Sequence, residues 1–275
     1  MSEVVAALAP RVGAAVRSGA RRLAAAGCET PRLDAALLLA HVLGVDRGWL
    51  VVESGRSLSA DELARYEKLI ARRERREPVA YILGVKPFRR ISLSVDRRVL
   101  IPRPETELLA EVALELPAGA RVLDVGTGSG AVALAVKDER PDLEVFATDL
   151  DAGAIELARA NARRLDLAVT FVVGDLTAGL SGDAVLANLP YVADGAPLSA
   201  EIGRWEPAQA LFAGSDGLAV IRRLVSGLDG FSLVALEVGF DQTDAVAALL
   251  TDASFAQVER RCDLAGHERV LVGRR

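Results

Sequence analysis

The sequence predicts an α/β protein: a doubly wound sheet of seven strands whose last strand runs antiparallel, preceded by a small helical bundle. Three observations predict it. From Thr106 onward, apolar runs of strand length alternate with stretches of helical periodicity. The final two strands are joined only by Leu264 to Arg269, too short for a parallel crossover, so the last must turn back. The first 75 or so residues carry only helical signals with short connections.

Taken in order, Val4 to Ala26 forms the first helix, with Gly27 as its stop. Thr30-Pro31 supplies an N-cap and a proline in the first turn, and Gly44 ends that helix. Ser59 and Glu62 have capping-box spacing and open a third helix through Leu63, Tyr66, Leu69 and Ile70, which Pro78 stops. Tyr81-Ile82-Leu83, then Ile91, Leu93 and Val95, read as the short strands of a hairpin. A helix over Thr106–Leu116 follows. Strands are expected at Arg121–Val125, Glu144–Thr148, Val169–Val173, Ala184–Ala187, Phe231–Glu237, Ala256–Asp263 and Val270–Gly273. Helices fall between them at Ala131–Glu139, Ala152–Leu165, Leu218–Leu228 and Thr243–Thr251. The expected domains are 1–77 helical, 78–105 a hairpin linker, and 106–275 the α/β domain.

A formal charge of −5 argues against a protein that grips nucleic acid over its whole surface. Residues 72–103 differ locally: ten basic and three acidic residues leave +7 there, read as a solvated face or a surface for an acidic partner rather than an RNA site. Cys28 and Cys262 have no metal spacing and no activating neighbours, so the cytoplasm is the expected compartment. No segment is long and apolar enough for a membrane, and the N-terminus reads as an amphipathic helix in preference to an arginine-rich transit peptide. His41 and His267 lack acid or metal partners in sequence, and no metal site is expected.

The first strand of the α/β region ends in Asp124-Val125-Gly126-Thr127-Gly128-Ser129-Gly130, with a helix after it. Glycines let such a turn approach a ligand, and the helix N-terminus offers unpaired N–H groups. Asp149, 23 positions after Gly126, ends the second strand, where a carboxylate accepts from ribose hydroxyls. Gly126, Gly128 and Ala131 also satisfy a relaxed dinucleotide fingerprint. Asp124 favours S-adenosylmethionine instead, because a carboxylate at the turn repels a pyrophosphate and suits a methionine ammonium. Asp175, closing the third strand, is either an acceptor for an adenine amino group or a turn residue.

The fourth strand ends in Asn188-Leu189-Pro190-Tyr191. An amide nitrogen is a poor nucleophile, since its lone pair is delocalised into the carbonyl. Two acceptors on its N–H bonds draw that pair out of conjugation and aim it. The Asn188 side-chain oxygen and the Leu189 carbonyl are candidates, with Tyr191 packing on the planar group and Pro190 fixing the backbone. The long segment Val192 to Gly214, with Trp205 and Phe212, is expected on the substrate side as lining or as packing.

These residues resemble the release factor glutamine N5-methyltransferase family (HemK/PrmC). The resemblance runs over nearly the whole chain, through Asp34–Gly44, Glu77–Gly84, Val99-Leu100-Ile101-Pro102-Arg103-Pro104-Glu105-Thr106-Glu107, the glycine turn, Glu206-Pro207, Asp216–Leu218, Glu237-Val238-Gly239 and Asp263–Gly266. It implies a Rossmann-like methyltransferase sheet and methyl transfer from S-adenosylmethionine to the glutamine of the Gly-Gly-Gln motif of peptide chain release factors, leaving S-adenosylhomocysteine. It also implies that Asp124, Gly126, Thr127, Gly128 and Gly130 hold the methionine part and Asp149 the ribose, and that Asn188 and its neighbours hold the glutamine. Pro102 to Glu107, with Arg103, Pro104 and Glu105, becomes a wall of the cofactor and substrate pocket, and the helical domain docks the release factor. A cytoplasmic monomer without direct nucleic-acid contact is expected. One position departs: Leu189 stands where the family has a first proline. The variant also resembles ribosomal RNA adenine dimethyltransferases, so an RNA adenine N6-methyltransferase is one alternative. A non-catalytic S-adenosylmethionine-binding factor is another.

Overall fold

The computed structural model describes residues 10–275, which leaves Val4–Ala9 of the expected first helix outside the described residues. The chain divides into two compact units, Met1–Gly84 and Val85–Arg275.

The first unit holds helices α1 (Val12–Ala25), α2 (Pro31–Leu43), α3 (Arg47–Val52), α4 (Ala60–Glu74) and α5 (Val79–Leu83) around one apolar core. Ser59 and Glu62 form the expected capping box, and Gly44 closes α2 at φ +67°. Thr30 does not cap α2: its hydroxyl donates to Asp34 Oδ1 at 2.8 Å instead. Helix α3, absent from the sequence reading, is opened by Asp46, whose Oδ1 accepts from Trp49 N–H at 2.8 Å. The expected strand at Tyr81-Ile82-Leu83 is corrected to helix α5, entered at Pro78 and ended by Gly84 at φ +69°. A three-residue apolar run cannot tell a strand from one helical turn. Asp34 and Arg73 make an ion pair at 2.8 Å inside this unit, both nearly inaccessible.

The second unit opens with an antiparallel hairpin of β1 (Val85–Phe88) and β2 (Ile91–Ser94), so the partner of Ile91 is Phe88. Then follow α6 (Glu107–Leu114), β3 (Arg121–Val125), α7 (Ala131–Glu139), β4 (Glu144–Asp149), α8 (Ala152–Leu165), β5 (Thr170–Val173) and β6 (Ala184–Asn188). The unit ends with α9 (Ala200–Trp205), α10 (Ala219–Val225), β7 (Leu233–Glu237), α11 (Thr243–Asp252), β8 (Gln257–Cys262) and β9 (Glu268–Arg274). The seven-stranded sheet has the order β5-β4-β3-β6-β7-β9-β8. Strands β3 to β7 pair in parallel, and β9 runs antiparallel to both its neighbours. Strand β7 is buried at every position and β3 and β6 at all but one, as a parallel sheet covered on both faces requires. Strand order reverses between β3 and β6, so their carboxyl ends flank the crevice where open α/β sheets bind ligands.

Several cations of the 72–103 stretch are paired within their own unit: Arg72 with Glu77, Arg73 with Asp34, Arg89 with Glu139, Arg98 with Asp96 and Arg103 with Glu206. Arg73 is buried, which corrects its reading as part of a solvated face. Among the described residues, no helix is long and apolar enough to cross a membrane, and no group of three potential metal ligands is found.

Candidate active site

Val125 pairs with Ala187 and with Thr148, so the glycine turn and the Asn188 tetrapeptide leave adjacent strands at one edge. Gly126, Gly128 and Gly130 hold φ of +73°, +56° and +84°, a region that side chains disfavour. The N–H groups of Gly126 and Thr127 both donate to Thr148 O at 2.9 Å, which folds the turn back over β4. A Cβ on Gly126 would lie 3.0 Å from Leu189 Cδ2. The turn borders a cleft lined also by Val99, Pro102, Thr106, Asp149, Asn188 and Pro190.

Three carboxylates serve this cleft differently. Asp124 is buried; its Oδ2 accepts from Thr127 Oγ1 at 2.6 Å and from Ala133 N–H at 3.1 Å. Desolvation pushes its carboxyl up to about 6, against those two hydrogen bonds. Asp149 accepts from Gly128 N–H and Asp151 N–H at 2.9 Å each, so the second strand end braces the glycine turn. Burial raises it as well. Asp175 lines the outer cleft, half-exposed and ion-paired with Arg223. Among the described residues, the buried Ser129 hydroxyl of the turn has no protein partner.

At the reacting edge, Asn188 Nδ2 donates to Thr106 Oγ1 at 2.9 Å, and Thr106 Oγ1 donates to Glu237 Oε2 at 2.6 Å. Tyr191 OH donates to Glu237 Oε1 at 3.4 Å. Burial pushes the Tyr191 phenol up to about 12. The Tyr191 carbonyl accepts from Gln242 Nε2 at 2.9 Å, and Gly217 is required beside it, since a Cβ there would lie 2.1 Å from Tyr191 O. Leu189 is buried in the core against the turn.

Not every expected residue reaches the cleft. Pro102 and Thr106 line it, whereas Arg103, Pro104, Glu105, Gly130 and Tyr191 do not. Arg103 is held by Glu206: its Nη2 donates to Glu206 Oε1 at 2.6 Å, and Glu206 Oε2 accepts from Ile101 N–H at 3.2 Å. Trp205 packs under Arg97 at 4.8 Å and stands off the cleft. The segment 192–214 is not a bare loop; it contains α9 and is tied back by the Val192–Phe212 bridge. Thr106 is expected only as part of the Pro102–Glu107 wall, with no role of its own, and Glu206, Glu237 and Gln242 are not among the expected site residues. They are polar side chains at element ends, and only Gln242 lies outside the motifs quoted above.

A mostly parallel sheet with β9 reversed, and a glycine turn beside a polar strand end at the switch point, define a Rossmann-like methyltransferase. The PrmC N-terminal domain family matches residues 14–84, and the methyltransferase small domain family matches residues 104–204. A release factor glutamine methyltransferase of Rhodospirillum rubrum is 40% identical, with 96% of this chain and 85% of that one covered. Its counterpart from Burkholderia pseudomallei is 44% identical over 88% and 91%. A solved structure, the hMettl16 catalytic domain, shares the fold at TM-score 0.53 and 15% identity, over 80% of this chain and 84% of that one. The chain belongs to the release factor glutamine methyltransferase family.

Proposed function

We propose that this protein transfers a methyl group from S-adenosylmethionine to the side-chain amide nitrogen of the glutamine in the Gly-Gly-Gln motif of peptide chain release factors, working as a cytoplasmic monomer. The observation that carries this reading is Asn188. Its amide N–H₂ is engaged by Thr106, while among the described residues no protein donor reaches its Oδ1, on a residue lining the cleft beside the glycine turn.

The residues fit the cofactor. The side-chain-free face of Gly126 and Gly128 leaves space a Cβ would fill, Asp149 offers carboxylate lone pairs at the second strand end, and Asp124 sets a negative charge beneath the turn. Asp175 stands at the adenine end. When bound, S-adenosylmethionine supplies an electrophilic methyl carbon and a neutral thioether leaving group. Asn188 Oδ1 and the Leu189 carbonyl accept the two N–H bonds of the glutamine amide, which turns the nitrogen lone pair toward that carbon. Transfer to the nitrogen so aimed would leave the S–C electron pair with the departing thioether, and the methylated amide would shed one proton to water. No strong base is required, because alkylation makes that proton acidic. Leu189 keeps the carbonyl that a proline would offer.

Mass spectrometry of a release factor incubated with the protein and S-adenosylmethionine should show one added methyl on the Gly-Gly-Gln glutamine. Label appearing in ribosomal RNA instead, or no turnover on either substrate, would replace this reading with one of the alternatives.

A further inference from the structure

Strands β6 and β7 place Asn188 directly opposite Glu237, so their side chains leave the sheet on one face. Thr106, just ahead of α6, bridges the two, and both Thr106 and Glu237 are buried. We infer that Thr106 and Glu237 form a polarity relay that fixes which end of the Asn188 amide faces the substrate, with the charge of Glu237 as its setting. The inference rests on the glutamine reading above for its effect on turnover, but the relay itself is a property of the protein alone.

A hydroxyl carries one proton and can donate it once. With Glu237 ionised, the carboxylate can only accept, so Thr106 Oγ1 spends its proton there. Toward Asn188 the hydroxyl can then only accept, which selects Nδ2 and leaves Oδ1 for the substrate. With Glu237 neutral, the carboxylic acid can donate to Thr106, and Thr106 is freed to donate to Asn188. The amide then gains by turning its oxygen inward, and its NH₂ group meets the substrate N–H donor to donor. A buried mismatch of that kind is costly. Thr106 and Glu237 are therefore positioning residues, acting through Asn188.

The setting lies near neutrality. Desolvation and the charge of Glu105 push Glu237 up to about 7, while Thr106, Tyr191 and Arg269 hold it down. The relay is correctly set above this value and reversed below it.

The chain contains only two asparagines, Asn161 and Asn188, so asparagine-selective ¹⁵N labelling reports two side-chain amides. In the full-length protein without substrate, the Asn188 amide signals should titrate with a midpoint near 7, and Glu237→Gln should abolish that titration. In turnover, Thr106→Val should lower kcat by ~10- to 100-fold with the KM for S-adenosylmethionine within about twofold, and Thr106→Ser should restore most of it. The acid limb of the wild-type kcat profile should disappear in Glu237→Gln. Wild-type kcat in Thr106→Val, a Ser variant no better than Val, or an Asn188 signal indifferent to Glu237 would overturn the relay. A wild-type protein whose Asn188 signal titrates but which methylates no glutamine overturns the proposed reaction and leaves the relay standing.

Discussion

Leu189 Cδ2 stands 3.0 Å from the point a Cβ on Gly126 would occupy, so the reacting tetrapeptide and the glycine turn interlock across adjacent strands. Gly126→Ala meets two obstacles. One is the left-handed φ of +73°, worth about 1–2 kcal/mol. The other is contact with the flexible end of Leu189, which can give. We expect a stability loss of that size and at least a ~10-fold weaker S-adenosylmethionine affinity. Isothermal titration of Gly126→Ala and of the double variant with Leu189→Ala separates the two. Full recovery in the double variant would mean contact, not backbone strain, is the obstacle.

Asn188→Ala removes the side-chain acceptor without touching the turn. Transfer should slow by ~10²- to 10³-fold, as for other groups that align a reacting atom, with S-adenosylhomocysteine affinity within about threefold of wild type. Single-turnover kinetics with cofactor titration tests this. A kcat within threefold of wild type would assign alignment to the backbone carbonyls alone.

The sequence exposes what is local and hides what is assembled. Helices α7 and α8 were readable to the residue, because continuous apolar periodicity begins right after Gly130 and Asp151 and stops cleanly. Asp124, Asp149 and Asn188 were legible for a related reason: each ends or nearly ends a parallel strand, and strand ends converge at a switch point. Helix α5 was not, since one turn of Tyr81-Ile82-Leu83 carries no period. Glu206 and Glu237 were visible as motif letters without a role. Their partners, Arg103 and Thr106, lie more than a hundred residues earlier, and only tertiary packing shows that each carboxylate is buried against a specific donor.

Asp124 makes stability depend on pH. Its carboxyl sits at about 6 in the fold against an ordinary 3.8, so the folded state binds the proton more tightly than the unfolded chain. Its contribution is fully present below 3.8 and is lost as pH rises to 6, by about 3 kcal/mol. Asp124→Asn removes the ionisation and should gain on wild type over that window. Urea unfolding of both proteins without cofactor between pH 4 and 7 measures the difference, with Asp149 and Glu237 common to both. Cofactor affinity should run oppositely, rising through pH 6 in wild type only, as the charged carboxylate attracts the cation. Parallel stability curves for the two proteins would remove the desolvation argument.

The Arg103–Glu206 pair is asymmetric, and the asymmetry predicts which half matters more. The Glu206 side chain is 1% exposed and that of Arg103 29%. Arg103→Ala strands a buried carboxylate whose other partner is one N–H, Ile101; losses of about 3–5 kcal/mol follow from such uncompensated burial. Glu206→Ala leaves an arginine that can turn to water and orphans only the Ile101 N–H, at a cost of about 1–3 kcal/mol. The double variant should then cost less than the sum of the two, since removing Glu206 also removes the stranded charge. Because this pair pins the strap that brings Pro102 to the cleft, Glu206→Ala should also raise KM for the protein substrate more than it lowers kcat. Denaturant unfolding of the three variants checks the order; an Arg103→Ala cost no greater than that of Glu206→Ala would show that Glu206 is solvated in solution.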